Sequence, residues 1–513
     1  MYRVLTQYFF ICGVLFHIGF AASFSIARYY LNEPLSSVSK RIGIKLINEG
    51  YGIRKNIGGL ILRYGSYFEP SEIKFTLPPI SEWEGHGANK TKYYSDQEFT
   101  EYGLPVISQR AYSSPYTDHT IISVKTADEL LSAIKSATSG NIITLEPGLY
   151  RLNGRNIPII NPGHFDTPIV VRSPILGDAI IELSMLEGFH VKAPFWVFEN
   201  LIINGTCNDD SYCEHAFHIV GSGHSFVLRN SIVRDFNAHI KVNASGNNFP
   251  DNGLIENSTF YNTRPRETAS PVNMLNIDSV NNWRVKGNLL ADFSKNKGDR
   301  ISYAAYMKGN GRNGIFEQNL VICEANVDAN SSTQVGLSFG GGGTATAFCR
   351  NSQCLSEHTN GIIRNNIILN CPNDVGIYLN KSTNTQVYNN AIVNSLGIDV
   401  RFESSTASIV NNIISGRISD RDGGVSFREN NLIDIDCTQP GSPYPFSCRF
   451  EEWYISPYQA DFSLNNGDEL LTKGVFIEEF GQDFCGNRPN THTIDIGPIQ
   501  YSSGKSCSPF IIK

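Results

Sequence analysis

Charge is scarce in this chain. Only 18% of its 513 residues are Asp, Glu, Lys or Arg, and no extended run of Lys and Arg occurs. Neutralising nucleic-acid phosphates needs clustered basic side chains, so a nucleic-acid partner is excluded. The same shortage, beside 45 Gly, 23 Tyr and 30 Phe, disfavours a coiled coil and wholesale disorder. Long apolar runs are missing after the first thirty or so residues, so the chain is not a multi-span membrane protein. Cys-x-x-Cys and His-x-x-x-His spacings are absent as well, which argues against cysteine-based zinc sites.

What is present begins with a leader. Residues 8–27 are mostly apolar, follow one basic residue (Arg3), are interrupted by His17, and contain the small residues Ala21, Ala22 and Ser23. Residues 1–27 read as a signal peptide or as a single N-terminal membrane anchor. Either places the remainder outside the cytoplasm: secreted, periplasmic, or anchored at the membrane. After Cys12 in the leader, ten cysteines remain, an even number that suits disulfides in an oxidising compartment. Proximity pairs Cys207 with Cys213, Cys349 with Cys354 and Cys437 with Cys448. Elimination then pairs Cys485 with Cys507 and Cys323 with Cys371. Sequons at Asn89, Asn204, Asn243, Asn257, Asn330 and Asn380 permit glycosylation in a suitable host.

A repeat sets the fold. An Asn flanked by apolar residues recurs at Asn200, Asn230, Asn257, Asn288, Asn319, Asn366, Asn390, Asn412 and Asn431, at spacings from 19 to 47 residues. A coil of short stacked strands needs such a beat, because each Asn can bond its neighbours at the same turn of successive rungs while Val, Ile and Leu point inward. Variable spacing means loops of different length inserted into one rung register. Residues 121–125 read as a strand, and Thr126 to Glu129 as a capping box that opens an amphipathic helix to about Ala137. Strands at 141–150 and 168–172 complete a cap over the open end of the coil.

The run 124–150, the Asn rungs and the closing segment 495–501 resemble the right-handed parallel β-helix superfamily. Within it they are most similar to polysaccharide lyase family six, which contains chondroitinase B and alginate lyases. The resemblance covers about residues 121–501. It implies an all-β, single-stranded right-handed parallel β-helix with an N-terminal capping helix. The expected organisation is an N-terminal extension at 28–120, the β-helix at 121–470 and a C-terminal cap at 471–513.

Strands preceding each Asn turn fall at 239–243, 274–278, 304–308, 336–340, 376–380 and 399–403. Alternation groups their outward residues into columns. One holds Lys241, Asn276, Tyr306, Ser338, Tyr378 and Arg401; its neighbour holds Asn243, Asp278, Lys308, Gly340, Asn380 and Glu403. A third holds His239, Met274, Ala304, Gly336, Gly376 and Asp399. Gly in a strand interior marks close approach by a ligand or another backbone, so Gly336, Gly340 and Gly376 are expected as the floor of a groove.

The resemblance implies a role for one residue in particular. Lys308 ends a strand and precedes Gly309, Asn310 and Asn313, as the family's catalytic Lys does. The family's acidic calcium ligands would fall near Tyr306 and Ala304, and its Arg-x-Gly is replaced by Ser338, Phe339 and Gly340. The ligand positions are not matched, so the metal is left open. Eliminating a 4-linked uronate requires neutralising its carboxylate, removing the C5 proton and protonating O4. Lys308 is expected as base, Lys241 and Arg401 as neutralisers, Tyr306 or Tyr378 as proton donor, and His239 as a further acid or base. Asn243, Asn276, Asp278, Ser338, Asn380, Asp399 and Glu403 are expected to bind substrate. The expected partner is an acidic polysaccharide met by a monomer. Glycoside hydrolysis would need close carboxylate pairs, and Asp278, Asp399 and Glu403 are spread over distant rungs. C5-epimerisation would use the same residues as elimination, and a non-catalytic glycan-binding or adhesin-type solenoid is the other alternative.

Overall fold

The computed structural model describes residues 87–88, 120–327, 332–341, 344–434, 449–457, 460–489 and 493–503. From residue 120 to 434 the chain winds as a right-handed parallel β-helix of three sheets, with 12, 11 and 10 strands in the order the coil visits them. Every pairing within these three sheets joins strands of successive coils, in parallel, as Val227–Arg229 joins Trp196–Glu199 and Leu254–Glu256. The interior is a continuous apolar column in which Phe189, Phe198, Phe217 and Phe226 pack ring to ring at 4.9–5.8 Å.

The cap forms as its residues dictate. Helix Ala127–Ser136 starts at Thr126, whose Oγ1 accepts from the amide of Glu129 at 3.2 Å. The Glu129 carboxylate in turn accepts from the amide of Lys125 at 2.6 Å. Leu130, Ala133 and Ile134 turn inward and join the apolar column, closing its first coil.

The turn between the first and second sheets explains the Asn beat. It takes two residues. The first lies in the left-handed region, which Asn tolerates better than most side chains. Asn200, Asn230, Asn257, Gly287, Gln318, Asn365, Asn389, Asn411 and Asn430 occupy it, with φ between 45° and 65°. The second points inward and forms the ladder. Asn288 donates to Asn319 at 3.0 Å, and the links Asn319–Asn366, Asn366–Asn390, Asn390–Asn412 and Asn412–Asn431 are each 2.9 Å. Asn200, Asn230 and Asn257 therefore belong to the outer column and not the inner one. Leu201, Ser231 and Ser258 hold the inner place on those rungs, where Ser231 and Ser258 pass the ladder on through their hydroxyls. A further ladder, Asn252–Asn282–Asn313–Asn360–Asn384, runs along a more exposed turn.

The described residues of 449–457, 460–489 and 493–503 run along the outer face of the second sheet. Phe450, Trp453, Phe462, Leu470 and Ile499 bury against Leu289, Leu320, Ile367 and Ile413. The outer Asn column holds this segment through its carbonyls: Asn365 bonds Phe480 and Gln482, Asn389 bonds Asp495 and Gly497, and Asn411 bonds Val475, all at 2.8–3.0 Å. Disulfides join Cys207–Cys213, Cys323–Cys371 and Cys349–Cys354 as expected. Cys485 is disulfide-bonded; Cys507 and the pair Cys437–Cys448 lie outside the described residues, as do the leader, nearly all of 28–120, Asn89 and Asn330. Among the described residues no helix is long and apolar enough to cross a membrane.

Candidate functional site

The third sheet carries the polar columns on its outer face. Its register runs His190, His218, Lys241, Asn276, Tyr306, Ser338, Tyr378, Asp399 across successive strands. The neighbouring column pairs Asp278 with Lys308. Four of the expected residues meet at one point. Lys241 Nζ donates to Asn276 Oδ1 at 2.7 Å and to Asp278 Oδ2, while Lys308 Nζ lies 3.9 Å from Asp278 Oδ1. Lys308 also sits 4.6 Å above the centre of the Tyr306 ring, where the negative face of the aromatic attracts a cation. All three charged side chains are less than one-fifth exposed.

These residues line a groove of about 740 Å³, walled by residues from two loops. One is 244–249. The other, 344–352, ends beside the Cys349–Cys354 staple and brings Phe348, 72% exposed, and Arg350 to the groove. Arg350 stacks 4.1 Å over Phe249 and is fixed by a two-point pair with Asp251 at 2.6 and 2.9 Å. Among the described residues Asp278 is the one carboxylate lining the groove beside Lys241, Lys308 and Arg350, the last of which is already paired with Asp251. Arg350 and Phe348 were missed because loop residues carry no rung periodicity. The adjacent close-set cysteines were the available signal.

Several expected site residues sit elsewhere. Arg401 pairs with Asn380, and Asp399 with Tyr378, so the expected register is two residues out on this rung. Arg401 still reaches Tyr378: its guanidinium donates to the hydroxyl at 3.3 Å, and Asn380 donates to the same oxygen at 2.8 Å. This second cluster, with Asp399 held by Arg421 at 2.6 Å, lies two strands from Tyr306, roughly 10 Å away. Tyr306 is 4% exposed, and its hydroxyl accepts from Asn273 at 3.3 Å. Burial, aided by Asp278, holds its pKa well above the phenol range. It supports Lys308 with its ring and does not offer a proton to the groove. His239 is fully enclosed, bonded to the Tyr261 carbonyl, and burial pushes its pKa down to about 3. Ser338 is fully buried, with its hydroxyl on the carbonyls of Gly340 and Tyr378. Glu403 is exposed in a turn beyond its strand.

The glycines have a structural reason other than substrate. A Cβ on Gly336 would lie 2.2 Å from the Gly376 carbonyl, one on Gly340 1.8 Å from the Asn380 carbonyl, and one on Gly376 2.6 Å from Ile392. It is the next rung that approaches, and none of the three glycines lines the groove. The two positions at which the resembled family carries calcium ligands supply none here: Ala304 and Tyr306 are buried and present no carboxylate.

The sheet continues past the expected columns. Glu187, His190 and His218 form a cluster one strand before Lys241, and His218 Nε2 lies 2.8 Å from Asn243 Oδ1. Burial works against the Glu187 carboxylate, but His218, the Asn156 amide and His190 together hold its pKa below the usual range. Nearby Glu214 is shifted the opposite way, raised by burial and by Glu187. The equivalent histidines of successive strands were legible in the sequence had the columns been extended toward the N-terminus.

Fold and site thus define a parallel β-helix with a cationic groove on one sheet face. No protein-family model matches the chain, and no curated protein matches its sequence. Solved structures are similar to it. The pectate lyase Pel9A aligns at 12% identity and a TM-score of 0.48, covering 74% of this chain and 96% of that one. The PL6 family polysaccharide lyase Pedsa3628 from Pseudopedobacter saltans aligns at 15% and 0.34, covering 64% and 98%. An alginate lyase from Paenibacillus sp. str. FPU-7 aligns at 15% and 0.32, covering 63% and 98%. At such identities nothing about activity transfers to this chain.

Proposed function

We propose that this chain is an exported polysaccharide lyase that cleaves a uronate-containing polymer by β-elimination. The supporting observation is the groove lined by Lys241, Lys308 and Arg350 around one carboxylate, in a chain whose net charge is −7. A cationic cleft in an acidic protein concentrates an anionic polymer where it is wanted.

The elimination assigns each group a task. Asp278 and Asn276 hold Lys241 as a fixed ammonium, suited to neutralising the uronate carboxylate. Lys308 makes the looser contact with Asp278, so it is the nitrogen assigned to C5. An ammonium at rest, it must first release a proton to solvent before its amine takes the C5 proton. The C5–H bond breaks, C4=C5 forms, the C4–O4 bond breaks, and the new Lys308 ammonium returns the proton to O4. One group can serve both steps when proton and leaving oxygen lie on the same side of the ring. Tyr378, Asn380 and Arg401, roughly 10 Å along the sheet, suit contacts to a neighbouring sugar.

The test is a panel of uronate polymers followed by ultraviolet absorbance of the conjugated unsaturated product. A rising absorbance with at least one polymer is expected. The exposed ring of Phe348 at the groove wall favours a second reading, glycan binding without chemistry, which predicts affinity but no absorbance. Solvent deuterium entering C5 without absorbance would instead indicate epimerisation.

A further inference from the structure

We propose that Glu187, His190 and His218 form a binding site for a divalent transition-metal ion of the zinc class, at the N-terminal end of the groove.

The strands Glu187–Val191 and His215–Val220 are neighbours, and their register sets His190 directly beside His218. The two imidazoles stack with centroids 4.9 Å apart and planes 3° from parallel. Both turn Nδ1 toward one carboxylate: His218 Nδ1 is 3.1 Å from Glu187 Oε1, and His190 Nδ1 is 3.6 Å from Oε2. The three donor groups lie within 4.8 Å of one another. Zinc bonds of about 2.0–2.2 Å in a tetrahedron put ligand atoms roughly 3.3 Å apart, so the carboxylate–imidazole separations already match. The gap between the two stacked rings has to close, and at least one ring has to turn so that both lone pairs converge on the ion.

The surrounding hydrogen bonds point the same way. His218 Nε2 faces Asn243 Oδ1 at 2.8 Å, and an amide oxygen there calls for a proton on Nε2. With Nε2 as donor, the neutral imidazole presents its Nδ1 lone pair to a carboxylate 3.1 Å away. Two lone pairs at that distance need a cation between them. A proton would satisfy His218 alone, whereas a metal ion engages both rings and Glu187 together. Fixing one ring nitrogen by an acceptor so that the other binds metal is the usual outer arrangement of ligating histidines. Asn156 completes the ring of donors, its amide 3.2 Å from His190 Nδ1 and 3.4 Å from Glu187 Oε2. Amide oxygen and nitrogen exchange by a simple flip, and the flipped form would present Oδ1 as a fourth ligand.

The chemistry of the set names the ion class. Two imidazoles and one carboxylate suit zinc, cobalt or nickel, while calcium prefers an all-oxygen shell. The three side chains are 15–20% exposed, so an ion can reach them from solvent. His218 adjoins Lys241 in register, and the ion would therefore add positive charge to the end of the groove. This site stands whether or not the lyase reading does.

The test uses the full chain, prepared without a histidine tag and stripped with a chelator. Co²⁺ alone is titrated while its visible d–d bands are followed, and Zn²⁺ alone is titrated by calorimetry. One equivalent should bind, and Zn²⁺ should raise the melting temperature. His190→Ala and His218→Ala should each weaken binding at least ~100-fold, and Asn243→Ala ~10- to 100-fold. Unchanged melting of the stripped variants would show that they fold. Absence of saturable binding by either ion overturns the proposal and leaves a hydrogen-bonded Glu–His pair. Equal affinity in wild type and both histidine variants overturns it too.

Discussion

Lys308 faces Asp278 in direct strand register, with its ammonium 3.9 Å from Oδ1. The other oxygen of that carboxylate is taken by Lys241, so one largely buried anion orders two cations. Replacing it by a neutral amide of the same shape should disturb their placement more than their affinity for polymer. Asp278→Asn is expected to lower kcat about tenfold or more with little change in KM. Steady-state kinetics on the turned-over polymer checks this, and an unchanged kcat would remove Asp278 from the site.

The inner and exposed Asn ladders should differ in worth. Asn319 is fully buried and bonds the amide of Asn288, the carbonyl of Val285 and Asn366. Asn319→Ala strands several of these groups, at about 1–3 kcal/mol for each one left unsatisfied. Asn313, on the exposed ladder, can hand its partners to water, and Asn313→Ala should cost about 1 kcal/mol or less. Denaturant unfolding compares the two; equal losses would show that the inner ladder is not a principal support of the coil.

Gly340 tests how closely the next rung packs on its strand. It has φ of 76°, and an added Cβ would overlap the Asn380 carbonyl. Gly340→Ala should therefore destabilise by more than the ~1 kcal/mol that left-handed backbone alone costs. Gly154, with φ of 131° and open space around it, supplies the comparison. A Gly340→Ala protein no less stable than Gly154→Ala would contradict the packing described.

Acid should act through Glu317. This carboxylate is fully enclosed; burial opposes its charge, but Arg284 and Arg364 prevail and hold its pKa below the ordinary carboxylate value. A depressed folded pKa contributes stability that is present above the unfolded value, about 4.3, and is lost as pH falls through the folded one. Thermal unfolding below about pH 4.3 should therefore steepen, and Glu317→Gln should flatten that dependence while lowering stability at neutral pH.

Much of the coil was legible because its rungs repeat a costly feature, a buried amide, at one place. The one-residue slip at Asn200, Asn230 and Asn257 arose because the turn has two adjacent places that both favour Asn, one for left-handed backbone and one for the ladder. In the pairs Asn365–Asn366, Asn389–Asn390 and Asn411–Asn412 both are filled, and the outer member grips the segment that follows the coil. That segment has no period and left no trace of its path. The Lys241–Asp278–Lys308 cluster followed from alternation. Arg401 did not, because the register between its strand and Tyr378 is not preserved relative to the Asn beat. His239 and Tyr306 look available in a strand pattern, and only tertiary cover shows them enclosed.

The central claim is that Lys308 moves the proton. Lys308→Ala, assayed by product absorbance on a polymer the wild type cleaves and by binding to the same polymer, tests it most directly. Loss of turnover by about a thousandfold or more, with affinity changed by no more than about tenfold, is the predicted result. A Lys308→Ala protein that still cleaves at a rate near wild type would contradict the account.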